Sequence, residues 1–214
     1  MSVRSWSYPV LALLVLVSGG FAASTAQAEG NAAQGKLLGY TCLGCHGVDN
    51  YRNAYPNYSV PKLVGQHPEY LVIALNAYKS GERSHGTMHA QASSYSDQDM
   101  LDLSLYLAGE PVKSAAGAKP AVTPPAAVAT CSACHGTDGV GIVNIYPTLA
   151  GQHADYIEQA LNDYRAGRRR NAVMGAFAAA LKPADIKAVA LYFSQQKPAL
   201  QTLARPTSRY SAAK

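Results

Sequence analysis

Two short cysteine–histidine clusters stand out in the 214-residue chain: Cys42-Leu43-Gly44-Cys45-His46 and Cys131-Ser132-Ala133-Cys134-His135. Two thiols separated by two residues can reach both vinyl groups of one porphyrin, and the adjacent histidine then falls beneath the iron. C-x-x-C-H is accordingly the attachment sequence for a c-type haem. A single C-x-x-C could instead be a redox dithiol or half of a zinc site, and four cysteines in an exported chain would by default form two disulfides. Here the motif occurs twice and uses every cysteine in the chain. Two covalently bound haem c groups are therefore expected, attached through Cys42, Cys45, Cys131 and Cys134, with His46 and His135 as proximal axial ligands.

The sixth ligand follows by elimination. Apart from the initiator, the methionines are Met88, Met100 and Met174. Met88 and Met174 occupy equivalent places downstream of the two haem motifs, in polar stretches read as connections between helices. Met100 is matched by Ile186 and reads as core. His85 and His89 flank Met88 and are alternatives to it, but their counterparts, Asn171 and Gly175, could not serve the second unit. Histidine–methionine ligation raises a haem's potential and fills the coordination sphere. A filled sphere leaves no position for substrate, so the expected function is electron transfer, not enzymatic catalysis.

These residues sit in an internal repeat, and repeats set the architecture. Pro61-Lys62-Leu63-Val64-Gly65-Gln66-His67 matches Pro147-Thr148-Leu149-Ala150-Gly151-Gln152-His153 at an offset of 86. The register holds through Tyr70/Tyr156, Tyr78/Tyr164, Arg83/Arg169, Met88/Met174, Asp99/Asp185 and Tyr106/Tyr192. The cysteines are offset by 89, so the first unit carries three extra residues, placed in the tyrosine-rich stretch 51–58. Helical spacing predicts helices over 68–80 and 154–166. Helix-compatible runs over 31–44 and 126–133 lead into the cysteines. Closing helices begin at Ser96, an N-cap followed by Asp97 and Asp99, and at Pro183, suited to a first helical position. The fold class is all-α. His67 and His153 read as solvated residues after a turn; Arg83 and Arg169 read as contacts to haem carboxylates or as surface charges.

The organisation read from the chain is a signal peptide over 1–28, haem domains over 29–108 and 126–197, a proline- and alanine-rich linker over 109–125, and a loose surface tail over 198–214. Arg4, the apolar run 9–17 and Ala26-Gln27-Ala28 form the leader, with cleavage near Ala28 and export to the periplasm. The net charge of +5 falls to +4 without Arg4, and two haems bring about four carboxylates, so nucleic-acid binding is not expected. Charge is uneven: residues 29–113 carry −2 and residues 114–214 carry +6. Arg168-Arg169-Arg170 is therefore a candidate docking site for an acidic partner surface.

The paired C-x-x-C-H motifs, the Pro-x-Leu-x-Gly-Gln segments and the paired Met88 and Met174 make residues 30–195 similar to cytochrome c4, a dihaem family of the bacterial periplasm. The resemblance implies two tandem class I cytochrome c domains related by pseudo-twofold symmetry. It also implies a respiratory-chain role: electrons taken from a quinol–cytochrome c reductase or other donor and passed to a terminal haem–copper oxidase, with peripheral association at the inner membrane. The alternative is the dihaem subunit of an oxidoreductase complex, such as flavocytochrome c sulfide dehydrogenase.

Overall fold

The computed structural model describes residues 1, 29–114 and 118–204. The leader, part of the linker and the end of the tail lie outside these residues. Among the described residues the chain is helical, with only isolated bridges in place of sheet. The first unit contains α1 (Ala32–Leu38), α2 (Leu43–His46), α3 (Pro68–Lys79), α4 (Gly86–Ser93) and α5 (Asp97–Ala108). The second contains a 3-10 turn (Ala126–Val128), α6 (Ser132–His135), α7 (Ala154–Arg165), α8 (Ala172–Ala180) and α9 (Pro183–Ser194).

Local chemistry sets the ends of these helices. Asn31 caps α1 by accepting from the amides of Ala33 and Gln34. Ser96 caps α5 by accepting from the Asp99 amide, while the Asp99 carboxylate accepts from the Ser96 amide at 2.9 Å. Pro183 opens α9 as expected. The run 31–44 is two helices, not one: α1 stops at Leu38 and the short α2 carries the first haem motif. In α1, a β-carbon on Gly35 would lie 1.9 Å from the Asp102 carbonyl of α5. Only glycine lets the two helices cross so closely. The second unit replaces α1 with the 3-10 turn, which packs on α9.

Two half-cores result. Leu43, Leu71, Leu103 and Leu107 pack in the first unit; Val128, Ile157, Leu161, Ile186 and Phe193 pack in the second. Met100 is fully buried beside Leu75 and Ala92.

The tail departs from expectation. Residues 198–204 are a strap from the second unit back onto the first. Gln201 and Val64 exchange backbone hydrogen bonds of 2.9 and 3.1 Å, and the Leu203 amide donates to the His46 carbonyl at 3.1 Å. Gly65, at φ +90°, makes room for the strap: a β-carbon there would meet the Ala199 carbonyl at 2.2 Å. Leucines at 200 and 203 are buried, and Leu203 joins the first unit's core. Burial of these side chains outweighs the loose composition of the surrounding sequence. Leu203→Ala should cost about 2 kcal/mol or more, read as a lower midpoint in urea unfolding of the holoprotein.

The units meet about a pseudo-twofold axis that the hydrogen bonds display residue by residue. Gln66 donates to the Thr148 carbonyl at 3.0 Å and accepts from the Thr148 amide at 2.9 Å. Its counterpart Gln152 does the same with Lys62, both at 3.0 Å. Closer to the axis, the Ser84 amide donates to the Arg168 carbonyl and the Arg170 amide to the Glu82 carbonyl, both at 2.7 Å. Each pair is its partner shifted by 86 residues.

Candidate functional site

Each haem motif sits on a one-turn helix, α2 or α6; Cys42, Cys45 and His46 line the interior of the first unit, and in the second Cys131 packs against the core and His135 is buried. His46 Nδ1 is 2.9 Å from the Pro61 carbonyl, and His135 Nδ1 is 2.9 Å from the Pro147 carbonyl. A carbonyl can only accept, so Nδ1 carries the proton in both rings and Nε2 is left unprotonated, with its lone pair open to a metal. Burial lowers the pKa of both histidines, with those carbonyl contacts opposing it. Both rings are thus held as the neutral imidazole that binds a metal. Burial also pushes the thiols of Cys42 and Cys131 up, the reverse of what a reactive or metal-binding thiolate needs.

In the first unit these groups open onto a cavity of about 420 Å³. Cys42, Cys45, His46 and Met88 line it together with Leu63, Leu71, Leu75 and Leu103. Its volume lies in the roughly 300–1,000 Å³ range of cofactor sites. The lining is that of a haem pocket: two thiols, one oriented imidazole, a thioether and aliphatic walls. Pro147, Thr148, Gln152 and Tyr156 also border it, so the cavity reaches the second unit. A bound haem supplies one-electron chemistry. Cys42 and Cys45 would hold it covalently, His46 would face it with an imidazole oriented by the Pro61 carbonyl, and the leucine walls would exclude water.

Met88 and Met174 lie on helices, a correction to the polar connections expected there. Each occupies the third position of its helix, α4 or α8, and its amide donates to the capping side chain. The cap is His85 Nδ1 in the first unit, at 3.3 Å, and Asn171 Oδ1 in the second, at 3.0 Å. A ring nitrogen that accepts is unprotonated, so His85 Nε2 bears the proton and donates to Asn53 Oδ1 at 3.1 Å. Both nitrogens are engaged. His89 donates from Nδ1 to the Tyr78 carbonyl at 2.8 Å, and its residue is exposed. His85 could not turn a nitrogen to an iron without losing one of these bonds, whereas His89 is bonded through Nδ1 alone and is kept apart by its exposed position.

His67 is buried, not solvated, with Nε2 3.5 Å from Thr148 Oγ1 across the interface. Arg83 and Arg169 are buried at the interface and are not surface charges. The run Arg168–Arg170 is consequently not a single exposed basic patch: Arg169 points inward, and Arg168 pairs with Asp163 at 2.7 Å.

The tyrosine-rich insertion reaches across the interface. The Ser59 amide and hydroxyl donate to Asp155 Oδ2 at 3.0 and 2.9 Å, and Arg52 Nη1 lies 2.8 Å from the same oxygen. Partial burial works against the Asp155 charge, but these partners hold its carboxyl below the usual carboxylate range. A carboxyl depressed in the folded state stabilises fully above its unfolded pKa, about 3.9, and loses that contribution as pH falls through its folded value. Asp155→Asn should weaken the contact by up to about 1 kcal/mol, because both side chains are partly exposed. In unfolding titrations the difference from the parent should be largest near neutrality and vanish in acid.

The pairing of covalent haem motifs with helical, pseudo-twofold units defines a class I c-type cytochrome with two haems. The Cytochrome c family model matches residues 32–109 and 125–197. Cytochrome c4 of Pseudomonas aeruginosa is 35% identical over 186 residues, covering 78% of this chain and 89% of that one. A thiosulfate dehydrogenase electron acceptor from Stutzerimonas stutzeri is 32% identical, over 72% of this chain and 77% of that one. Among solved structures, reduced recombinant cytochrome c4 from Pseudomonas stutzeri superposes with a TM-score of 0.61 at 29% identity, covering 79% of this chain and all of that one. The thiosulfate dehydrogenase TsdBA from Marichromatium purpuratum gives 0.62 at 27% identity, over 84% of this chain, which spans only 43% of that longer chain. The chain belongs to the cytochrome c4 family: a dihaem electron carrier with two covalently bound haem c groups.

Proposed function

We propose that the chain is a periplasmic shuttle whose haems are attached through Cys42/Cys45 and Cys131/Cys134 and ligated by His46/Met88 and His135/Met174. One observation carries this reading. Both units place a neutral, Nδ1-anchored histidine after the cysteines and a methionine on a capped helix, at matching repeat positions. With both axial positions filled, the irons exchange electrons and offer no site to substrate. The leader at residues 1–28 supports export, and among the described residues no helix is long and apolar enough to cross a membrane. The donor is a quinol–cytochrome c reductase or equivalent, and the acceptor a terminal haem–copper oxidase.

A second reading has specific support. The similarity to a thiosulfate dehydrogenase electron acceptor and to TsdBA favours a role as immediate acceptor for a sulfur-oxidising oxidoreductase. Stopped-flow mixing separates the two. The shuttle reading expects the reduced protein to be oxidised rapidly by membranes containing a haem–copper oxidase. Selective reduction by a thiosulfate dehydrogenase with thiosulfate, with stoichiometric co-purification, would establish the second instead.

A further inference from the structure

Arg83 and Arg169 are repeat partners that pair backbone to backbone on the pseudo-twofold axis. Their side chains are more than nine-tenths buried. Arg83 Nη2 and Arg169 Nη2 both donate to the Tyr70 hydroxyl, at 3.1 and 2.8 Å. The Arg83 guanidinium also lies over the rings of Tyr70 and Tyr78, and that of Arg169 over Tyr164. No carboxylate reaches either one: the ion pairs among the described residues are Arg52–Asp155 and Arg168–Asp163. Asp163 borders the same small cleft but is taken by Arg168. Arg169 Nε is buried with no acceptor at all.

Two buried guanidiniums cannot be balanced by one phenol. A buried charge without a counter-charge is strongly unfavourable. Although burial opposes it, the two arginines bring Tyr70 down only to about 8, so it is mostly a neutral phenol at pH 7. The site therefore lacks negative charge and retains donors suited to bidentate pairing. Arg83 also lines the haem cavity of the first unit.

We infer that Arg83 and Arg169 form an interdomain carboxylate site that holds propionates of the two covalently bound haems, Arg83 for the first unit and Arg169 for the second. This inference rests on the haem assignment above. It makes the domain interface part of each haem's binding site, so that docking of the units and charge balance at the haems depend on each other.

The test compares the two-haem holoprotein with Arg83→Gln and Arg169→Gln, and with Arg83→Lys and Arg169→Lys as charge-retaining controls. Haem is counted in every variant, because loss of a haem or of its low-spin spectrum would indict the haem assignment and not the arginines. The readout is each haem's reduction potential as a function of pH, with haem-methyl NMR assigning the two. A carboxylate paired with arginine stays ionised, so the parent should be flat between about pH 5 and 7. In a glutamine variant the unpaired carboxylate takes up a proton more readily. The potential of that unit's haem should drop and become pH-dependent, with the inflection raised by at least about one pH unit, a tenfold change in proton affinity. Lysine should largely restore the flat profile. Glutamine variants that keep the parental potentials and profile would overturn the inference. So would sodium acetate shifting the parent's potentials, which would show the site open to a free anion and not filled by propionate.

Discussion

Met174→Ala should leave two haems attached but convert the second from a closed, six-coordinate site to one that binds carbon monoxide. The thioether is proposed as the only protein group filling the distal position of that iron. Asn171 is committed to capping α8 through the Met174 amide and cannot substitute. The potential of that haem should fall, since methionine ligation is what raises it, within the ~0.8 V span that axial ligands control. Met88→Ala should do the same in the first unit, with one difference worth measuring. His85 and His89 flank the vacated position, so a histidine could reach the iron if His85 gave up its bond to Asn53 or if the exposed His89 swung its open Nε2 inward. Carbon monoxide difference spectra of the two reduced variants check this directly. Equal binding by both means that neither histidine takes the vacated position.

The second large effect concerns the interface. Gln66→Ala removes both partners of Thr148's backbone groups, and Gln152→Ala does the same to Lys62. Gln66 and Thr148 are almost wholly buried, at 4% and 1% exposure. Each buried group left unpaired costs about 1–3 kcal/mol, so Gln66→Ala should cost roughly 2–6 kcal/mol. Gln152→Ala should cost less, because its Lys62 partner is partly exposed. Such losses are a large share of the stability of a small protein. Denaturant unfolding followed at each haem should change from one shared transition toward two separate ones in the double variant. A single transition at an unchanged midpoint would mean the glutamines do not join the units.

The haem motifs, the two units and the helices around them were legible because their signals are local. C-x-x-C-H is set by the reach of two thioethers, Ser96 and Pro183 announce helix starts, and Met88 emerges once the repeat aligns it with Met174. Helices α4 and α8 were missed for a physical reason. Gly86–Ser93 is mostly small and polar and Ala172–Ala180 is mostly alanine, so neither shows a clear apolar stripe, and the cap is a histidine in the first unit where the second has asparagine. The interface was hidden more deeply. Gln66 and Gln152 look like ordinary polar residues until the units dock, because their partners are backbone groups more than 80 residues away. Their recurrence within Gly-Gln-His in both units was the available signal, and it pointed to a shared role without revealing which. Arg169 belonged by sequence to an exposed basic run, and only tertiary packing turns it inward. In the same way Leu200 and Leu203 were masked by their proline- and alanine-rich surroundings, and the tyrosine-rich insertion gave no hint of Asp155.

The most direct measurement is the optical spectrum of the mature holoprotein, oxidised and then reduced, with and without carbon monoxide. Two low-spin haems per chain, a methionine–iron band in the oxidised protein and no response to carbon monoxide are the expected result for a carrier with both irons closed. A high-spin fraction, or carbon monoxide binding at either haem of the unaltered protein, would contradict it and would mean that Met88 or Met174 does not hold its iron.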